Sequence, residues 1–407
     1  MMTAAPLLVR NRNYRLVFSA GALTNLGDGL IVLALPWLAT LLTREPMAIA
    51  AVAAAGRLPW LIFALPAGVI TDRADRRRLI ARTDMLRAGI VFAIMLLALG
   101  TPVPGAVWAL AGLAFLLGSA EVLRDNAAQT ILPAIVAPDD LEAANGQMWS
   151  AEQITGQFVG PPLAGLLIGL GIALPFGLDV AALVLAAGLV WLITLPPQAR
   201  QSVRFWPALV EGVRWMRRDV PLLRLAVVLG LINFFYMMAF TMTVLFAQEV
   251  LGLSAAQHGV LLSVAAVGAV VGSLGAPTVM ARIGAQACLF VALSVWGFAY
   301  AAIGASSNAV FVGAAMFALM AGSMLWNVVT VSWRQRRIPS ELLGRVNSIY
   351  RFFGWGSMPL GALAGGAVVS MVELEAGREA ALRAPFLLAA AGSAVLLVYA
   401  AFRLRLK

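Results

Sequence analysis

The chain of 407 residues contains one cysteine, Cys288, and one histidine, His258. A disulfide within the chain is therefore excluded, as is a zinc or haem site built on cysteine and histidine. Lysine occurs once, as Lys407, so no internal Gly-Lys pair exists from which a P-loop could be made. ATP is not expected as the energy source within this chain, and neither a metal nor another cofactor is expected. Charge is scarce: 12% of residues are charged, where a soluble domain has about 25%. The few carboxylates are scattered. A membrane enzyme such as a lipid-modifying transferase would need a catalytic cluster, and none is visible, so the sequence does not read as an enzyme.

Apolar residues take up the rest. The chain is 61% hydrophobic, with a mean hydropathy of +0.90. The apolar runs are long and continuous, which fits helices spanning a bilayer rather than the alternation of a barrel. The expected fold class is all-α and integral to the membrane. About twelve spans follow: 16–42, 48–70, 79–99, 106–128, 143–171, 173–195, then 223–245, 255–280, 286–305, 309–331, 346–371 and 382–402. The polar stretch between the sixth and seventh divides the chain into a six-helix bundle (1–195), a linker (196–222) and a second six-helix bundle (223–407). Within the linker, Phe205 to Arg218 places apolar residues at helical spacing with a basic opposite face, as in a helix lying on a membrane surface. Met1 to Arg15 is polar and basic and the first apolar run is long, so no cleavable leader is expected.

The net charge of +10 would suggest nucleic acid in a soluble protein. Here the basic residues lie in short loops, so nucleic acid is not expected as a partner and the bilayer is. Of the 29 lysines and arginines, 22 fall in the tails and loops on the N-terminal side, and three, Arg44, Arg378 and Arg383, fall opposite. That bias predicts that both termini are cytoplasmic.

The two halves repeat. Leu141-Glu142-Ala143-Ala144-Asn145 corresponds to Leu343-Gly344-Arg345-Val346-Asn347, and each precedes a helix rich in glycine and proline, the pattern of a pseudo-symmetric duplication. Two stretches are more particular. Between the second and third spans, Gly68, Asp72, Arg73, Asp75, Arg76 and Arg77 form a short turn of alternating charge at a membrane surface. In the fifth span, Gly156, Gly160, Pro161, Pro162 and Gly165 combine small residues one turn apart, which permit close helix contact, with prolines that kink.

These stretches resemble two signatures of the major facilitator superfamily: its loop 2–3 motif and its fifth-helix antiporter motif. Asp75 stands where the first usually has glycine, and Ala164 replaces a glycine of the second. Asn25-Leu26-Gly27-Asp28-Gly29, Leu132 to Pro138 and Leu342 to Arg351 are similar to the bacterial efflux subgroup that includes siderophore and macrolide exporters. The resemblance covers the whole chain. It implies a secondary transporter with the major facilitator fold, working by alternating access between two six-helix bundles. The expected activity is proton-coupled export of hydrophobic or amphipathic small molecules, by a monomer in the bacterial cytoplasmic membrane. A siderophore exporter and a solute importer are the alternatives.

Ionisable residues inside spans are costly and hence functional candidates. Asp28 and Arg57 lie at similar depths on the first two spans and are expected to pair, with Asp28 carrying the coupling proton. Glu152, placed one and two turns before Gly156 and Gly160 and expected on the same helical face, is a second carboxylate candidate, followed by Glu121 and Asp179. Arg124 and Asp125 are expected to act with the Asp72 turn as a gate. Asn25, Asn233, Tyr236, Trp326 and Asn327 are candidates for lining a cargo cavity.

Overall fold

The computed structural model describes residues 7–101, 103–194 and 205–404, and no strand occurs among them. A continuous apolar run in a bilayer has no water to satisfy its peptide groups, so each run closes its hydrogen bonds internally as a helix. The helices are α1 (Arg12–Leu42), α2 (Pro46–Arg73), α3 (Arg76–Leu99), α4 (Ala106–Ile135), α5 (141–170), α6 (Leu174–Trp191), α7 (Phe205–Arg218), α8 (Val220–Leu245), α9 (255–283), α10 (285–305), α11 (Ala309–Arg337), α12 (340–376) and α13 (Arg378–Arg403).

Nine helical stretches among the described residues are long and apolar enough to cross a membrane. One of them, Ala255–Ala305, is two helices joined at Gly284, whose φ of 79° needs a residue without a Cβ. Two more rods are masked by their own chemistry: α3 opens with arginines and carries Asp84 and Arg87, and α5 is interrupted. With these, the membrane helices are twelve, α1–α6 and α8–α13, and the protein is an all-helical multi-pass membrane protein. The remaining helix, α7, packs on α12 and buries Met216 while exposing Val210.

Packing divides the chain into two units. The first comprises Met1–Leu42, Ala55–Val203 and Ser254–Val260; the second comprises Thr43–Ala54, Arg204–Leu253 and Leu261–Lys407. In the first, α6 lies against both α1 and α3, and α3 against α4. Val17 and Ala20 of α1, Ile80 and Ala81 of α3, Ala127 and Ile131 of α4, and Ala186 and Val190 of α6 form a shared apolar core. In the second, α8 packs on α12 and α13.

α5 is a composite of an α-helix (Leu141–Glu152), a π-helical segment (Gln153–Val159) and a second α-helix (Gly160–Leu170). A π turn shifts the phase of everything beyond it. Glu152 and the two glycines therefore do not share a face: Gly156 and Gly160 are buried against α1, and Glu152 is exposed. The expectation of a common face assumed an unbroken period of 3.6 residues.

The turn between α2 and α3 replaces the missing glycine with a cap. Asp75 accepts a hydrogen bond from the Arg78 backbone N–H at 3.2 Å and faces the Arg78 guanidinium at 3.4 Å, so α3 starts from an acidic N-cap. Arg77 donates to the Ile193 carbonyl at 3.0 Å and stacks over Trp191, tying the turn to the end of α6. Gly68 and the side chains of Asp72 and Arg73 lie outside the described residues, although the backbone there is helical.

Candidate transport site

The first unit gathers buried charge where α1, α3 and α4 meet. Arg87 of α3 has a side chain only 2% exposed and pairs through Nη2 with Asp28 Oδ1 of α1. Its Nη1 lies 3.7 Å from Asp84, one turn earlier on α3, whose carboxylate is fully buried. Arg124 of α4 approaches the same Asp84 oxygen at 3.6 Å, faces Asp125 at 3.4 Å, and donates to Thr24 Oγ1 of α1 at 2.6 Å. Two arginines and three carboxylates thus form a chain across α1, α3 and α4.

The anticipated partner of Asp28 was Arg57; the partner found is Arg87. Arg57 acts electrostatically on Glu121 of α4, which also feels Arg87, so it borders the same cluster without an ion pair to Asp28. Arg124 and Asp125 join this cluster through Asp84. The sequence reading assigned no role to Asp84 or Arg87, although two opposite charges three residues apart inside an apolar run were a visible sign of a buried pair.

Among the described residues both Asp84 oxygens lack a hydrogen-bond donor, and Nε and Nη1 of Arg87 lack an acceptor. Asp28 and Asp125 lie at the margin of the cluster, their side chains 37% and 32% exposed, while Asp84 is sealed. Asp28 thus has one edge on a buried cation and the other accessible.

The glycine-rich first-helix motif is explained residue by residue. Gly27 faces Asp179 of α6, and a Cβ there would collide with the carboxylate, which is buried with no donor among the described residues. Gly29 meets the Gly156 carbonyl of α5, and Gly160 packs back on Gly29. Asn25 contributes its backbone carbonyl, 3.1 Å from where a Gly156 Cβ would sit. Beyond the π segment, Gly165 abuts Ala255 and Ala256, and the Pro161 carbonyl and Pro162 meet Gly259. The small residues of α5 thus bring backbone against backbone along two neighbours.

The second unit contains a cavity of about 320 Å³ lined by α8, α10, α11, α12 and α13. Asn233, Tyr236, Trp326 and Asn327 all line it. Among the described residues no group of three or more potential metal ligands assembles.

Comparison with known proteins places this architecture. The profile of the transmembrane secretion effector family, a branch of the major facilitator superfamily, matches residues 2–405. The multidrug efflux pump Tap of Mycobacterium tuberculosis is 29% identical over 394 residues, covering 89% of this chain and 88% of that one. The Tap pump of Mycolicibacterium fortuitum is 34% identical over 156 residues, a match that spans 38% of each protein. Macrolide efflux protein A of Streptococcus pyogenes is 23% identical over 226 residues, covering 54% of this chain and 55% of its own. Among solved structures, a bacterial homologue of the iron transporter ferroportin in an inward-facing state superposes with a TM-score of 0.76 at 16% identity, covering 97% of this chain and 100% of the other. The nucleoside transporter NupG superposes at 0.72, also at 16% identity, over 94% and 98%; at such identities the likeness concerns the fold alone. With its family profile matched almost end to end and its twelve membrane helices in place, the chain belongs to the transmembrane secretion effector family and is a transporter of the major facilitator type.

Proposed function

We propose that this transporter exports hydrophobic or amphipathic small molecules in exchange for protons, by alternating access. The observation that carries the reading is the Asp28–Arg87–Asp84–Arg124 chain. It holds a marginally exposed carboxylate on a buried arginine inside a bilayer-spanning unit, where an ionisable group is costly unless it works. The names of the Mycobacterium and Streptococcus relatives support export of drugs and macrolides. Asp28 takes the proton when cargo leaves and returns it to the other side, with Arg87 as the resident counter-ion. Glu152, Glu121 and Arg57 are secondary members of the path. The Asp72 turn, with Asp75, Arg76 and Arg77, sets the balance between the two conformations, and the close packing of α5 through Gly156, Gly160, Pro161, Pro162 and Gly165 seals the pathway. The chain works as a monomer in the bacterial cytoplasmic membrane with both termini inside, a placement supported by the arginine bias.

The test is transport by the purified protein in proteoliposomes. An imposed pH gradient should drive accumulation of a lipophilic dye or an erythromycin-type macrolide, with protons moving in the opposite direction. Accumulation that ignores the gradient would contradict the proposal.

A further inference from the structure

The acid-rich cluster of the first unit has a counterpart of opposite sign in the second. The cavity there is lined by two arginines, Arg334 and Arg351, and no Asp or Glu occurs among its described lining residues. Arg334, three residues before the end of α11, is 8% exposed. Its guanidinium carbon lies over the Tyr350 ring, 3.8 Å from the centroid. Nε donates to the Thr330 carbonyl at 3.1 Å and Nη1 to Asn347 Oδ1 at 2.9 Å. No carboxylate pairs with it and Nη2 has no acceptor among the described residues.

A buried cation without a counter-charge is costly. The neutral acceptors and the Tyr350 face offset part of that cost, and they leave the in-plane Nη2 edge of the guanidinium unfilled. That edge is the geometry that takes a carboxylate or sulfonate. A second donor is also unfilled: Trp326 Nε1 is buried with no acceptor among the described residues. Trp326 lies against Trp296 with the rings tilted by 43° and their centroids 5.7 Å apart, and both line the cavity with Tyr300 and Trp355. The wall is therefore aromatic and the floor cationic.

We propose that this cavity is a cargo subsite for amphipathic compounds that carry one anionic group on an aromatic body, the anion docking on Arg334 and the body lying against Trp296 and Trp326. The proposal rests on the export reading for its biological sense and narrows that reading's cargo class. If Arg334 merely ties α11 to α12 through Thr330 and Asn347, cargo charge will not matter.

The experiment titrates purified full-length protein in neutral detergent with N-dansylglycine and with its primary amide, the same fluorophore without the charge. Energy transfer from the tryptophans is read, and the specific part is defined by displacement with excess unlabelled 1-naphthoate. The wild type should bind the carboxylate at least about tenfold more tightly than the amide. Arg334→Gln should bring the two affinities within about twofold of each other, and Arg334→Lys should keep part of the preference. Equal binding of the two ligands to the wild type would overturn the proposal without reference to any variant. So would a preference that survives in folded, monodisperse Arg334→Gln. The export reading fails separately, when the wild type shows no proton-driven transport of a neutral dye. A carboxylate preference alongside that failure would uphold the subsite.

Discussion

The depth of Asp28 within its span is legible from its position, but its partner is not. Counting residues gives depth: Asp28 lies ~18 Å beyond the start of its apolar run, and Arg57 lies at a similar depth on the next helix. Depth says nothing of azimuth, and an arginine spans several ångströms from its Cα. Arg87, only ~12 Å into the run that begins at Leu79, reaches Asp28 because α3 and α1 both pack on α6. A stability difference follows. Removing one member of a buried pair leaves an uncompensated charge and costs about 3–5 kcal/mol, so Arg87→Met should lower the thermal unfolding midpoint in detergent far more than Arg57→Met. Equal shifts would show that Arg87 is not the counter-ion. Asp179 offers a second check. Gly27→Ala should destabilise by about 1–3 kcal/mol, and Asp179→Ser should recover part of that loss when combined with it, because the carboxylate occupies the space the methyl group needs. Additive losses in the double variant would rule out the proposed clash.

At the scale of the elements, continuous hydrophobicity made most spans legible, including α3 despite its arginines. The register of α5 was not legible, because a π segment depends on how backbones pack rather than on local propensity. The glycines of that helix also differ among themselves in ways the sequence does not mark. Gly160 sits on the backbone of Gly29, whereas nothing lies within 4 Å of a Cβ at Gly169. Gly160→Ala should therefore reduce the yield of monodisperse protein, while Gly169→Ala should stay within about 0.5 kcal/mol of the wild type. Size-exclusion chromatography and thermal unfolding check both. Identical behaviour of the two would contradict the close packing of α1 on α5.

For the whole molecule, the arginine bias predicts the side on which the linker lies. With Cys288 replaced by Ala, single cysteines placed across 201–218 should resist a membrane-impermeant maleimide in intact cells and react after permeabilisation; ready labelling from outside would invert the topology. The central claim is that Asp28 carries the coupling proton. The most direct measurement compares wild type and Asp28→Asn in proteoliposomes, recording both pH-driven accumulation and cargo exchange at equal pH on both sides. The amide imitates the protonated acid and cannot release a proton. The account predicts that Asp28→Asn loses pH-driven accumulation and cargo-induced proton release while retaining exchange, since binding and rocking do not need the charge. Accumulation and proton release by Asp28→Asn at the wild-type stoichiometry would contradict it.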